Sequence, residues 1–220
     1  MDQKEFAKQI STMQIDIFPL DRMLPLASVY KIFKGIYEKE QEKSTFLDNR
    51  KYKRLREGYF GLFVAAALDQ WENKEHFLHF PSDPQNDINI LFAKDLNAPR
   101  QVFNKIVCDV KEFTCYEKSF IDFIEKKIGS KLNTYSIIIG SHRDITNFKP
   151  LYDITMNRKA LPIYIVTAAD PIDSDFNIGL VTMFSTEVAP IKVRINLKEL
   201  LKIDDSSAII FHNKLRDKLT

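Results

Sequence analysis

Hydrophobic and polar positions change period several times along the chain, and each change predicts an element. Phe6, Ile10 and Met13 recur at helical spacing, Pro19 interrupts the run, and residues 26–37 carry a second apolar stripe. The next stretch, KEQEKSTFLDNRKYKRLREG, is highly charged and reads as a solvated helix face or a connection. Residues 54–69, RLREGYFGLFVAAALD, are apolar almost all round after a charged first turn, the pattern of a helix buried against a sheet. Short strand-like runs follow at 76–80, 87–92 and 105–114. Pro81 and Pro84 mark one turn between them, and Asn97, Ala98 and Pro99 mark a longer loop.

Beyond these runs the period returns to helical. Residues 117–128 place Phe120, Ile121, Ile124 and Ile128 on one face, and Gly129 stops the helix. TYSIIIG, residues 134–140, is a β-branched run without helical period and suits an interior strand. Further strands are predicted at 161–167, 180–185 and 191–197. The order helix, three strands, helix, strand implies an α/β sandwich around a mixed sheet, with 117–128 as a right-handed crossover. The division expected is a helical N-terminal extension, 1–50, and one α/β domain, 51–220.

Composition narrows the class. With 220 residues, 45% hydrophobic and 28% charged, the chain can bury one sizeable core. Thirty-two basic and 30 acidic residues leave a formal charge of +2, which excludes a polybasic protein. Any nucleic-acid contact must therefore come from a local patch. Lys51, Lys53, Arg54 and Arg56, interleaved with Tyr52 and Tyr59, form such a cluster in the sequence. Two cysteines, Cys108 and Cys115, make no disulfide framework, and no Cys/His spacing suits zinc. The start, MDQKEFAKQISTMQ, has no apolar signal core. The longest strongly apolar run, 61–68, falls far short of the roughly 20 residues a membrane span needs. A cytoplasmic protein without a membrane partner is expected.

The candidate chemistry lies in KIVCDVKEFT, residues 105–114. In a strand, alternate side chains share a face. Ile106, Cys108 and Val110 then form an apolar face, while Asp109 and Lys111 stand side by side on the other, between Val107 and Phe113. Ionisable groups on such a strand cost desolvation unless they are exposed, paired or coordinated. The preceding strand repeats the arrangement, with Ile88, Ile90 and Phe92 opposite Asp87 and Asn89. Antiparallel pairing would let Asp87 and Asp109 converge, and paired carboxylates are hard oxygen ligands suited to Mg²⁺ or Mn²⁺. An acid two residues before a lysine also occurs at Asp2/Lys4, Glu72/Lys74 and Glu125/Lys127. Only Asp109/Lys111 occupies a strand with an apolar opposite face and an upstream acid opening the strand before it.

On these residues the sequence resembles the PD-(D/E)xK superfamily of restriction-endonuclease-like phosphodiesterases. That family's core is an αβββαβ unit, and residues 54–140 read in that order. Asp87 in NDINILF matches the family's first acid, and Asp109 and Lys111 in CDVKEF match its second acid and lysine. Glu57 in RLREGYFG resembles the additional acid that many members carry on the first helix. Asn86 rather than Pro precedes Asp87, and the second acid is Asp rather than the commoner Glu. The resemblance implies a Mg²⁺- or Mn²⁺-dependent endonuclease acting on nucleic acid, with DNA as the expected substrate. It further implies metal ligation by Asp87, Asp109, the Val110 carbonyl and Glu57, and a catalytic role for Lys111.

Other readings stay open beside it. Asp109 and Lys111 can be a structural pair, Asp87 a turn cap, and Glu57 an exposed helix-start residue. Cys108 and Cys115 have no histidine at a defined spacing, which argues against a cysteine hydrolase. The loop Gly140-Ser141-His142-Arg143-Asp144 follows a strand end, from which Arg143 could reach a phosphate. A non-catalytic module that keeps the nuclease fold and binds nucleic acid or protein is the alternative function. The N-terminal helices could also make a homodimer.

Overall fold

The computed structural model describes residues 18, 20–39, 49–82, 86–93, 102–114, 116–128, 134–142, 145, 147–158, 161–168, 177–186 and 189–202. Phe6, Ile10, Met13, Pro19, Pro84, Asn97, Ala98, Pro99, Cys115, Gly129, Arg143 and Asp144 lie outside the described residues. The described strands are β1 (Met23–Pro25), β2 (His76–His79), β3 (Ile88–Ala93), β4 (Phe103–Phe113), β5 (Ser136–Ser141), β6 (Ile163–Ala168), β7 (Ile178–Phe184) and β8 (Ile191–Asn196). They form one sheet of eight strands whose spatial order is the chain order. β4, β5 and β6 are parallel, and every other neighbouring pair is antiparallel.

Parallel neighbours need crossover connections. The described helices are α1 (Leu26–Tyr37), α2 (Lys53–Glu72), α3 (Phe120–Lys127), α4 (Lys149–Arg158) and the single turn α5 (Leu197–Leu200). In sequence α3 lies between β4 and β5, and α4 lies between β5 and β6. The molecule is thus a mixed α/β structure whose helices cover both faces of a mixed sheet.

Strand alternation sorts the core into two layers. Ile137 and Ile139 of β5, with Ile163 and Ile165 of β6, pack with Phe123, Ile124 and Leu151 from α3 and α4. Ile138, Tyr164 and Val166 point the other way, into a cluster with α1 and α2. A strand covered on both faces must be apolar at every position, and this is why SIIIGS shows no alternation. α2 is buried over 55–68 because α1 packs on one side of it and the sheet on the other.

Glycines set how closely α2 approaches the sheet. A Cβ on Gly61 would lie 2.2 Å from the Ile88 side chain, and one on Gly140 would lie 2.2 Å from the Phe60 ring. Both are closer than real carbon contacts; at Gly61 the Ile88 methyl would have to move, and at Gly140 the Phe60 ring would have to move.

Four details differ from the sequence reading. Met23–Pro25 is a strand rather than part of a helical extension. It pairs with the edge of β2 through Met23↔His79, a place where Pro is tolerated. Ile121 is 48% exposed, and Phe123 takes the buried place instead. The reason is aromatic packing, with Phe123 5.2 Å from Phe113 and 6.1 Å from Phe120, ring centre to ring centre. α3 begins at Phe120 because Ser119 caps it, its hydroxyl oxygen accepting the Asp122 N–H at 3.1 Å. α4 was not expected, since its KPLYDITMNR sequence has no apolar stripe.

Candidate functional site

The charged run before α2 is not a solvated face in its described part. Arg56 and Glu57 are both buried, Glu57 to 1% exposure. Charges survive burial only with partners: Glu57 pairs with Lys53 and Arg54 of its own helix, and Arg56 pairs with Glu112 of β4. Three clusters result.

The first joins the opening turn of α2 to the start of β3. Arg54 Nη1 donates to the Asp87 carbonyl at 2.6 Å and Nη2 to the Pro81 carbonyl at 3.1 Å. The same Nη1 lies 3.4 Å from Glu57 Oε2. Lys53 Nζ lies 2.9 Å from Glu57 Oε1 and 4.0 Å from Asp87 Oδ1. Glu57 Oε1 is buried and takes no aligned hydrogen bond, so its contact with Lys53 is an ion pair. Burial pushes the Glu57 carboxyl above its usual pKa, and repulsion from Asp87 adds to this against the pull of Lys53 and Arg54. For Lys53, burial favours the neutral amine, but the Glu57 and Asp87 charges outweigh it and raise its pKa.

β4 carries the second acid and the lysine. Ile88 pairs with Cys108 and Asn89 with Val107. Continuing this register by one residue brings Asp87 opposite Asp109. Ile88, Ile90, Cys108 and Val110 are buried on the α2 side, as expected. Lys111 Nζ lies 2.7 Å from Asp109 Oδ2 and donates to the Val110 carbonyl at 3.4 Å. Asp109 is buried, and its partner on β5 is Ile137 of the α3–α4 layer.

The four expected side chains therefore do not gather on one face. Asp109 and Lys111 stand toward α3 and α4, whereas Glu57 arrives with α2 from the other side. Asp87 lies between them at the strand end. Its N–H donates to the Cys108 carbonyl at 3.2 Å, and its Oδ2 accepts the Val110 N–H at 2.7 Å. That bond turns the Asp87 carboxylate along the strand edge, where Oδ1 faces Lys53. Asn89 is buried and satisfied, with Asn86 Nδ2 donating to its Oδ1 at 2.9 Å and His79 Nδ1 2.9 Å from its Nδ2.

A third cluster escaped the sequence reading. Arg56 Nε donates to Glu112 Oε2 at 2.8 Å, and Arg56 Nη1 donates to the Asn49 carbonyl at 3.0 Å. His142 Nε2 lies 3.2 Å from the same Glu112 oxygen, and its ring meets Phe60 edge-on at 5.6 Å. Burial alone would raise the Glu112 pKa; the His142 hydrogen bond and the Arg56 charge outweigh it and hold the carboxyl below its usual value. The network ties α2 to β4 and to the residue after β5. The available signal was charge at positions 56 and 112, inside elements otherwise heading for the core.

These partners also correct the expected basic patch. Arg54 and Arg56 spend their donors inside the protein. Lys53, with its side chain 47% exposed, is the member of that group at once exposed and next to the acids. The Cys108 thiol is held protonated by burial, and the nearby Asp109 and Asp87 charges reinforce this. A thiolate nucleophile is disfavoured there.

Among the described residues no three His, Cys, Asp or Glu side chains form a group that could hold a metal ion. Mg²⁺ is commonly held by one or two carboxylates, with water and substrate phosphate completing its shell. The hard oxygens of Asp87 and Asp109, brought opposite by the register, suit that chemistry. So does Glu57 Oε1, buried without an aligned hydrogen bond. Among the described residues no helix is long and apolar enough to cross a membrane. Comparison with protein-family models, with curated proteins and with solved structures found no match to this chain.

Proposed function

We propose that the chain is a metal-dependent nuclease that hydrolyses phosphodiester bonds of nucleic acid, with DNA as its first substrate. The observation that carries the reading is the placement of Asp87 beside both acid–lysine pairs. By register it faces Asp109, whose partner is Lys111, and across the strand end it meets Lys53 and Glu57. The order α2, β2, β3, β4, α3, β5 supports a restriction-endonuclease-like core over 53–141.

In this reading Asp87, Asp109 and the Val110 carbonyl hold Mg²⁺ or Mn²⁺, and Glu57 adds a carboxylate from α2. Such an ion, when bound, supplies a more acidic water and a polarised phosphate. Lys111 sets a positive charge beside Asp109, where it stabilises negative charge growing on the phosphate. The Arg54 bonds to the Asp87 and Pro81 carbonyls keep the first acid at the mouth of the strand pair.

One observation favours a second reading. Among the described residues Asp109 pairs with Lys111 at 2.7 Å and Glu57 with Lys53 at 2.9 Å, as in a purely structural arrangement. A protein of that kind would be a binding module for nucleic acid or protein. The test incubates the full chain with mixed single- and double-stranded DNA and RNA in Mg²⁺, Mn²⁺ or chelator. Cleavage that requires the ion supports the nuclease. Retention of the same nucleic acids without cleavage under any condition supports the module.

A further inference from the structure

Lys53 is oddly placed for a helix residue. It sits in the first turn of α2, which holds no acidic residue and is the positive end of the helix dipole. Helix stability favours acids there, so the lysine depends on nearby carboxylates. These are Glu57 Oε1 at 2.9 Å, one turn along the same helix, and Asp87 Oδ1 at 4.0 Å, just before β3. Arg54 beside it is anchored by two backbone carbonyls. Lys53 has no such anchor among its hydrogen bonds in the described residues, and it remains about half exposed on a flexible stem.

We propose that Lys53 is a built-in counter-cation. Its ammonium neutralises Glu57 and Asp87 while no ion is bound, and a divalent cation must displace it to reach those oxygens. This rests on the metal-dependent reading above and adds a regulator to the same site. Three acids, Glu57, Asp87 and Asp109, are balanced by three bases, Lys53, Arg54 and Lys111. Of the bases, only Lys53 can swing into solvent without breaking a bond to the main chain.

Competition of this kind lowers metal affinity and makes the site responsive to the concentration of free ion. It also frees one lysine, at the moment of ion binding, next to where a phosphate would arrive.

The test uses the full chain and Mn²⁺ alone, with bound ion read from loss of the free-ion electron paramagnetic resonance signal. Lys53→Met and Lys53→Gln remove the charge, Lys53→Arg keeps it, and Lys74→Met makes the same charge change at the other end of α2. Melting curves without Mn²⁺ verify folding of each variant. Removing a like charge a few ångströms from a dication should tighten binding roughly tenfold in Lys53→Met and Lys53→Gln. Lys53→Arg and Lys74→Met should stay within about twofold of the parent on the same argument. Unchanged or weaker binding in both neutral variants overturns the proposal. If the parent still binds Mn²⁺ and Asp87→Asn loosens it, the nuclease reading survives that failure. If neither parent nor neutral variants bind Mn²⁺, both fall together.

Discussion

Replacing Arg56 by Met removes the strongest partner of a carboxylate that the fold has taken largely out of water. The Arg56 and Glu112 side chains are 8% and 16% exposed, and among the described residues their 2.8 Å contact is supplemented by His142 at 3.2 Å on the same oxygen. Breaking a buried pair by removing one member costs about 3–5 kcal/mol, because the other charge stays buried. His142 keeps part of the compensation, so the lower end, about 3 kcal/mol, is the expected loss. In a chain of 220 residues, each kcal/mol moves the melting temperature by about 2–4 °C, giving a drop of roughly 6–12 °C. The assay is urea and thermal unfolding at pH 7 of Arg56→Met, Glu112→Met and the double variant. The double variant should lose less than the sum of the singles, with a coupling of about 1–3 kcal/mol. Acid should erase the difference. The Glu112 pKa is depressed in the folded state, so its stabilisation is present above the ordinary value of 4.5 and is lost as pH falls through the folded value. A loss under about 1 kcal/mol, or an additive cycle, would show that the pair behaves as a surface ion pair and refute this reasoning.

Glu57→Gln should have the opposite pH signature. The Glu57 pKa is raised, so the native state favours the protonated form below the ordinary value of 4.5 and loses that advantage as pH rises through the folded value. The glutamine variant should therefore melt higher than the parent at pH 7, with the gain closing in acid; a lower melt at pH 7 contradicts it. Gly140→Ala places a methyl 2.2 Å from the Phe60 ring and should cost about 1–3 kcal/mol in urea unfolding. Adding Phe60→Leu should return part of that loss, and a neutral Gly140→Ala would show that α2 is free to shift.

Much of the sheet was legible because its strands obey simple rules. TYSIIIG suited an interior strand, and the alternation of KIVCDVKEF separated the apolar face of Cys108 and Val110 from the face of Asp109 and Lys111. The α2 helix announced itself by being apolar all round. The misses have physical causes. Met23–Pro25 is a strand because β2 offers it an edge, which no local pattern can report. Ile121 and Phe123 point to different sides of a short helix, and the side that is buried is the one that meets Phe113 on the facing strand. At the candidate site, pattern alone placed Asp87 next to the Asp109 strand. It did not reveal that the Asp87 carboxylate bonds the Val110 N–H, nor that α2 delivers Glu57 over the opposite face. The charges at 56 and 112 were a signal, but the Arg56–Glu112–His142 network could not be assembled from it because its bonded members are 56 and 30 residues apart in the chain.

In the proposed nuclease the Asp109–Lys111 pair on β4 does chemistry rather than merely holding the fold. The most direct measurement compares nucleic-acid cleavage by the parent, Asp109→Ala and Lys111→Ala in Mg²⁺, in Mn²⁺ and in chelator, with melting curves alongside. The expected result is ion-dependent cleavage by the parent and a loss of about a hundredfold or more in each variant, the scale of losing one electrostatic contact to the transition state. Both variants should still fold, because Cys108 and Val110 on the α2 side of the strand are untouched, but Lys111→Ala should melt lower, since it removes one partner of the buried Asp109 carboxylate. Full activity in either variant, or a parent inert toward every substrate, would contradict it.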